Sequence, residues 1–236
     1  MKVAVCLHGA AVVRTSLPLH PADRNLVELG LKLGAETVAL ELVGTPGLAP
    51  RAMTEAVGAG ATHPLRIVDE ALGTTDAHAT GLVMERILHQ LDPDLVLFSA
   101  SADPEGLADV PAAIAFRRVV PCVSDVVSLS VERAAPSDDR HRFLARAWRG
   151  DRVALIEVPR GALLGILAGE PAESPGLEAT MDHTGGDVHI RVMTLPDLGV
   201  DRAQVRRRTD LRGVIEPAAR PLVTTRSVAS LVSLLR

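Results

Sequence analysis

The spacing of apolar and polar positions changes several times along the chain, and each change predicts an element. Lys2-Val3-Ala4-Val5-Cys6-Leu7 is a mostly apolar run of strand length. From Ala22 to Leu33 the apolar positions Leu26, Leu29 and Leu33 fall on one helical face. Asp23 suits the N-terminus of that helix and Gly34 its C-terminus. Thr37 to Val43 reads as a second strand, closed by Gly44 and the Pro46-Gly47 turn. Ala49 to Val57 reads as a short helix, and Leu65 to Val68 as a third strand. Leu82, Met84, Ile87, Leu88 and Leu91 mark a helix over Ala77 to Leu91, and Asp94 to Ser99 is a fourth strand.

Strands alternating with helices imply βαβ units and a parallel sheet covered on both faces. Right-handed crossovers then bring the strand ends after Leu7, Val43, Val68 and Ser99 to one edge, where ligands bind in such folds. From about Cys122 the pattern becomes that of antiparallel ribbons, over Val126–Val131, Phe143–Trp148 and Val153–Val158. Gly161 to Leu167 is a further apolar run. Residues 169–187, with Pro171, Pro175, Gly176, Gly185 and Gly186, carry little periodicity and read as an extended arm. Val228 to Leu235 returns to helical spacing. The expected division is an α/β domain over 1–168 and an arm with a C-terminal segment over 169–236.

Composition narrows the function by exclusion. A net charge of −4 offers no basic surface for nucleic acid or an acidic membrane. No apolar run approaches the roughly 20 residues of a membrane helix, so no membrane insertion is expected. Lys2 leads straight into a strand pattern without a cleavage site, and the expected location is the cytoplasm. Two cysteines, Cys6 and Cys122, can build neither a disulfide framework nor a cysteine zinc site, and both read as buried small hydrophobes. The eight histidines form no metal-binding spacing. With no tyrosine, one tryptophan and three phenylalanines, few rings could stack on a flavin or a base. The first strand ends in His8-Gly9-Ala10, neither a phosphate loop nor a dinucleotide fingerprint, and no G-x-S-x-G elbow occurs. No catalytic residue is therefore expected, nor a metal site.

Segments spread over almost the whole chain, in order, are similar to one family. His20-Pro21-Ala22-Asp23 resembles its N-P-x-D-E helix start, and Gly60-Ala61-Thr62-His63 its G-A-D-R. Pro93-Asp94-Leu95-Val96-Leu97 matches P-D-L-V-L, and Glu157-Val158-Pro159 with Ala162-Leu163-Leu164 resembles E-V-P-x-P-A-L-L. Glu170-Pro171 resembles the N-E-P of a projecting loop, and Thr194 to Asp201 is nearly T-L-A-D-L-G-V-D. Together these resemble the β-subunit family of electron-transfer flavoproteins.

That resemblance implies a three-layer, mostly parallel sheet of the adenine-nucleotide α-hydrolase-like (Rossmann-like) type, with added antiparallel strands and an extended C-terminal arm. It implies an electron carrier rather than an enzyme, paired as a heterodimer with an FAD-carrying α-subunit and taking electrons from a dehydrogenase donor. It also implies a pocket in this chain for AMP, or for a second FAD in bifurcating members. Carried over by position, that pocket would use Cys6, His8, His20, Val43 and Gly44, with Asp103, Glu105, Gly106 and Val110 from the following loop. Partner recognition would use Glu170, Pro171 and Leu177.

The departures fall on the pocket and the arm. The family's D-G-D-T-G-Q loop is here Asp103-Pro104-Glu105-Gly106-Leu107-Ala108-Asp109, which loses a backbone donor at Pro104 and adds carboxylates. AMP, FAD or neither therefore stays open for the pocket. The arm carries Asp182 and Asp187 where the family has a lysine cluster, which points to a specialised redox partner. Actinobacterial members linked to the mycofactocin redox system are a home that fits. A regulatory module resembling universal stress proteins is the rival reading, and it would not need the arm. An ATP-pyrophosphatase would need S-G-G-x-D-S where this chain has His8-Gly9-Ala10-Ala11.

Overall fold

A computed structural model describes residues 1–10, 12–99, 110–135, 138–167 and 189–208. Its strands are β1 (Lys2–Cys6), β2 (Val12–Val13), β3 (Glu36–Val43), β4 (His63–Val68), β5 (Leu95–Ser99), β6 (Cys122–Ala135), β7 (Asp138–Arg149), β8 (Arg152–Val158), β9 (Ala162–Ile166) and β10 (Arg191–Met193). The helices are α1 (Pro21–Lys32), α2 (Arg51–Gly58), α3 (Ala77–Leu91) and α4 (Val110–Arg118). All ten strands join one sheet in the order β10-β4-β3-β1-β5-β9-β6-β7-β8, with β2 pairing β3 off that path.

The centre of the sheet is parallel. Val3, Ala4, Val5 and Cys6 lie between β3 and β5 and are all buried, as are Leu95 to Ser99. Helices on both faces force this, and it accounts for the unbroken apolar runs. One face packs Ala4, Leu40, Val96 and Leu163 under Val83, Ile87 and Ile114 of α3 and α4. The other packs Val5, Ala39 and Leu97 under Leu26 and Met53 of α1 and α2. The three-layer α/β architecture expected from the sequence is present.

The antiparallel ribbons are present too. β6, β7 and β8 form a meander, and Phe143, Ala145 and Ala147 of β7 alternate inward onto the second core. The run after Gly161 becomes β9, a parallel strand inserted between β5 and β6. Three elements went unread in the sequence, β2, α4 and β10. Cys122 departs from expectation: it opens β6 directly after Pro121 and is exposed, whereas Cys6 is buried. Of the arm and C-terminal segment, residues 189–208 are described, whereas 169–188, including Glu170, Pro171 and Leu177, and 209–236 lie outside the described residues.

α4 ends on a strained residue. Val119 adopts φ 56° although it is β-branched and 90% exposed. That conformation costs an L-residue roughly 1–2 kcal/mol, which glycine escapes. Part of the gain is lost to the greater freedom of glycine in the unfolded chain. Val119→Gly is expected to stabilise the protein by about 0.5–1 kcal/mol, read as a higher urea midpoint at unchanged slope.

Candidate functional site at the strand C-termini

The C-terminal ends of β1, β3, β4 and β5 lie on one edge, and β1 leaves it by an unusual route. Cys6 opposes Leu40 and Val12 opposes Leu42, so residues 7–10 leave the ladder opposite Glu41 before the chain rejoins β3. The bulge contains a 3-10 turn over Leu7–Ala10, with His8 in the left-handed region at φ 55°. A non-glycine residue held there marks a site that the surroundings must enforce. What enforces it is Asp23 on α1, whose Oδ2 accepts the His8 backbone N–H at 2.7 Å.

His8 continues a buried polar chain. Its Nε2 lies 3.4 Å from Glu41 Oε1, within ion-pair reach but outside hydrogen-bond alignment. Glu41 Oε2 accepts from Arg66 Nε at 2.6 Å, and Arg66 Nη1 donates to the Leu48 carbonyl at 3.0 Å. Glu41 and Arg66 face each other in register on β3 and β4, and both are buried. Two buried polar atoms in this group have no hydrogen-bond partner among the described residues, His8 Nε2 and Asp23 Oδ1. Burial pushes the Asp23 carboxyl up, against the His8 N–H bond and the nearby His8 and His20 charges. Burial, and then the Asp23 charge, push the Cys6 thiol up to about 12, so it stays a neutral thiol.

The direction of the Asp23 shift fixes a pH dependence. A carboxyl whose folded pKa is raised favours folding most when protonated, and that advantage is lost as pH rises from its unfolded value through the folded one. The stability of the wild type minus that of Asp23→Asn is expected to fall with rising pH across that window. The slope cannot exceed about 1.4 kcal/mol per pH unit for one proton. Urea unfolding of both proteins from pH 4 to pH 8 checks it; a rising difference would mean that the His8 bond outweighs burial.

The other expected site residues are placed as follows. His20 is the N-cap of α1, its Nδ1 accepting the Ala22 N–H at 3.2 Å. Val43 and Gly44 stand at the end of β3, but the Val43 carbonyl accepts from Asp69 and the Gly44 N–H donates to Val13. Gly44 also touches backbone: a Cβ there would sit 2.6 Å from Gly73 Cα. Val110 is buried at the start of α4. Asp103, Glu105 and Gly106 lie outside the described residues. The Glu41–Arg66 pair was not singled out from the sequence, although its signal is visible there as lone opposite charges inside the apolar runs of β3 and β4.

Whether these residues fit a nucleotide can be tested on their donors. A phosphate at a helix N-terminus needs free backbone N–H groups. At α1, Pro21 has none, Ala22 has given its own to His20, and the Asp23 carboxyl occupies the first turn. At α4, Pro111 again lacks the donor. The first turns of α1 and α4 therefore offer fewer backbone donors to a phosphate than an open helix N-terminus would. Among the described residues no group of side chains could hold a metal ion, and no helix is long and apolar enough to cross a membrane.

A mostly parallel sheet covered by helices on both faces and extended by an antiparallel meander defines a three-layer α/β domain of Rossmann-like fold. The model of the family described as the electron transfer flavoprotein domain matches residues 11–163, well over half the chain. The chain belongs to that family. It is also similar to the electron transfer flavoprotein subunit beta of Clostridium acetobutylicum, 25% identical over 201 residues. That alignment covers 82% of this chain and 73% of the relative.

Proposed function

We propose that this chain is the β-subunit-like half of a two-chain electron carrier. It pairs with an FAD-carrying α-subunit and passes electrons from a dehydrogenase to a downstream acceptor. The observation that carries this reading is the likeness to a β-subunit over 201 residues, which reaches beyond the 11–163 family match. The site chemistry supports it. The buried groups at the strand ends pair with one another, and electron transfer between flavins asks a protein for position and electrostatics rather than for a nucleophile or base. The FAD is proposed to sit mainly on the α-subunit, in keeping with the few aromatic rings here. A nucleotide held by this chain itself would take its phosphate contacts from the segment Asp103 to Asp109. The acidic arm residues Asp182 and Asp187 support a specialised dehydrogenase donor, of the kind linked to the mycofactocin system, and the proposed pair is a cytoplasmic heterodimer.

The test is co-expression with the α-subunit from the same genome. A co-eluting pair with a flavin absorbance spectrum is expected, and the nucleotides released by denaturation would show whether AMP, a second FAD or neither accompanies it. A stable, flavin-free single chain that ignores the α-subunit would sink the reading.

A further inference from the structure

We infer that His20 is a pH-sensitive latch at the start of α1: its neutral ring caps the helix, and its protonation releases the cap and, through Asp23, loosens the turn that holds His8. The latch acts at the strand C-termini whatever binds there, so it is independent of the electron-carrier reading.

The geometry is that of an N-cap whose acceptor is a ring nitrogen. His20 has an extended backbone at φ −66° and ψ 140°, and its carbonyl accepts the Arg24 N–H at 3.0 Å. Its Nδ1 accepts the Ala22 N–H at 3.2 Å. The usual caps are serine, threonine, asparagine and aspartate, whose oxygens accept a hydrogen bond at any pH near neutrality. Imidazole differs. A backbone N–H only donates, so Nδ1 must carry no proton, whereas in the imidazolium both ring nitrogens carry one. Histidine is the side chain whose ordinary change of charge falls between pH 5 and 8. The cap is therefore made by the form that dominates on the alkaline side and is lost with the form that dominates on the acid side.

Two features make that loss felt. Pro21 has no N–H, so Ala22 presents the first amide of the helix, and Ala22 is only 6% exposed, which leaves water little room to replace the ring. An imidazolium at this end also meets the positive pole of the helix dipole. The acid form has one attraction to turn to. Asp23, in the same first turn, feels the His20 charge, and its Oδ1 is buried with no hydrogen-bond partner among the described residues. The Oδ2 of that carboxyl holds the His8 N–H at 2.7 Å. A ring drawn to Asp23 thus competes with the bond that keeps His8 in the left-handed region.

The neighbouring charges are committed elsewhere. Glu55 of α2 accepts the Leu19 N–H at 2.9 Å and pairs with Arg51 at 3.1 Å. Glu41 of β3, beside the His8 ring, is bonded to Arg66 of β4. Cys6 of β1 is a neutral thiol, and Arg24 is the cation next to Asp23 on α1. Of Asp23, Glu41 and Glu55, Asp23 is the carboxylate that no arginine pairs among the described residues.

The test is a titration of the full-length protein from pH 8 to pH 5, following the His20 ring and the backbone amides of Ala22 and His8 by nuclear magnetic resonance. Both amides are expected to shift with the midpoint of the His20 ring. Across that step Ala22 is expected to lose roughly fivefold of its protection against solvent exchange, the scale of one cap. His20→Asn, which caps at every pH, is expected to remove the step from both amides while leaving the separate step of Asp23. Asp23→Asn is expected to keep the step at Ala22 and abolish it at His8. His20→Ser replaces His20→Asn if the latter does not fold. The latch is overturned if the Ala22 amide does not follow the His20 midpoint, if its step survives in a folded capping variant, or if the His8 amide shows no step that depends on His20.

Discussion

Arg66→Met is expected to destabilise this protein by about 3–5 kcal/mol, the scale of breaking a buried ion pair by removing one partner. Arg66 and Glu41 are both buried, Glu41 only 4% exposed, and their side chains meet at 2.6 Å across β3 and β4. Coulomb attraction at that distance is offset by the cost of stripping water from two ions, so the pair itself adds little net stability. Removing one partner changes the balance. Glu41 then keeps its desolvation cost with no guanidinium to oppose it, and the Leu48 carbonyl loses its donor. Methionine matches the length of the arginine stem, so the loss reports charge rather than volume. The double variant Glu41→Leu/Arg66→Met should recover most of the loss, because it removes both ions together. Urea unfolding of the four proteins of the double-mutant cycle gives the coupling directly. A single variant within about 1 kcal/mol of wild type would mean that water reaches this pair.

That pair also shows how far the sequence could be read. The parallel strands were legible because burial on both faces leaves nearly continuous apolar runs, as in Val3 to Cys6 and Leu95 to Phe98. A lone charge inside such a run signals a buried partner, but the partner is named only by the register of β3 on β4, which is non-local. α4 was missed for a related reason. Its sequence Val110 to Arg118 places Phe116 on the outside, 85% exposed, so the apolar positions do not mark one face. β10 is three residues with one buried, and only its pairing with β4 makes it a strand. At the candidate site, topology placed Cys6, His8 and Val43 on one shared edge of the sheet. The bulge after β1 and the Asp23 bond that holds His8 arise from tertiary contact, and no local pattern announces them.

Phe143→Ala is expected to cost about 3–5 kcal/mol and, in addition, to reveal whether the meander folds with the parallel sheet or after it. Among the described residues Phe143 is the bulkiest fully buried side chain, between Val131 of β6 and Val158 of β8, and it belongs to the core shared with Val5, Leu97 and Leu26. Truncation to alanine loses the transfer free energy of the ring and leaves a cavity that strands hydrogen-bonded on both sides cannot easily close. The readout is built into the chain. Trp148, its one tryptophan, lies on β7 and is 44% exposed, so its fluorescence follows the meander. Far-ultraviolet circular dichroism at the helical minimum follows α1 to α4, which pack on the parallel strands. In the wild type the two unfolding curves are expected to coincide, because one core spans both regions. In Phe143→Ala the fluorescence curve is expected to move to lower urea than the dichroism curve, since the lost contacts are those that tie β7 to the rest. Coincident curves in the variant, shifted together by the full amount, would show instead that the meander has no stability of its own. In that case any partner docking on it would be coupled to folding of the whole domain.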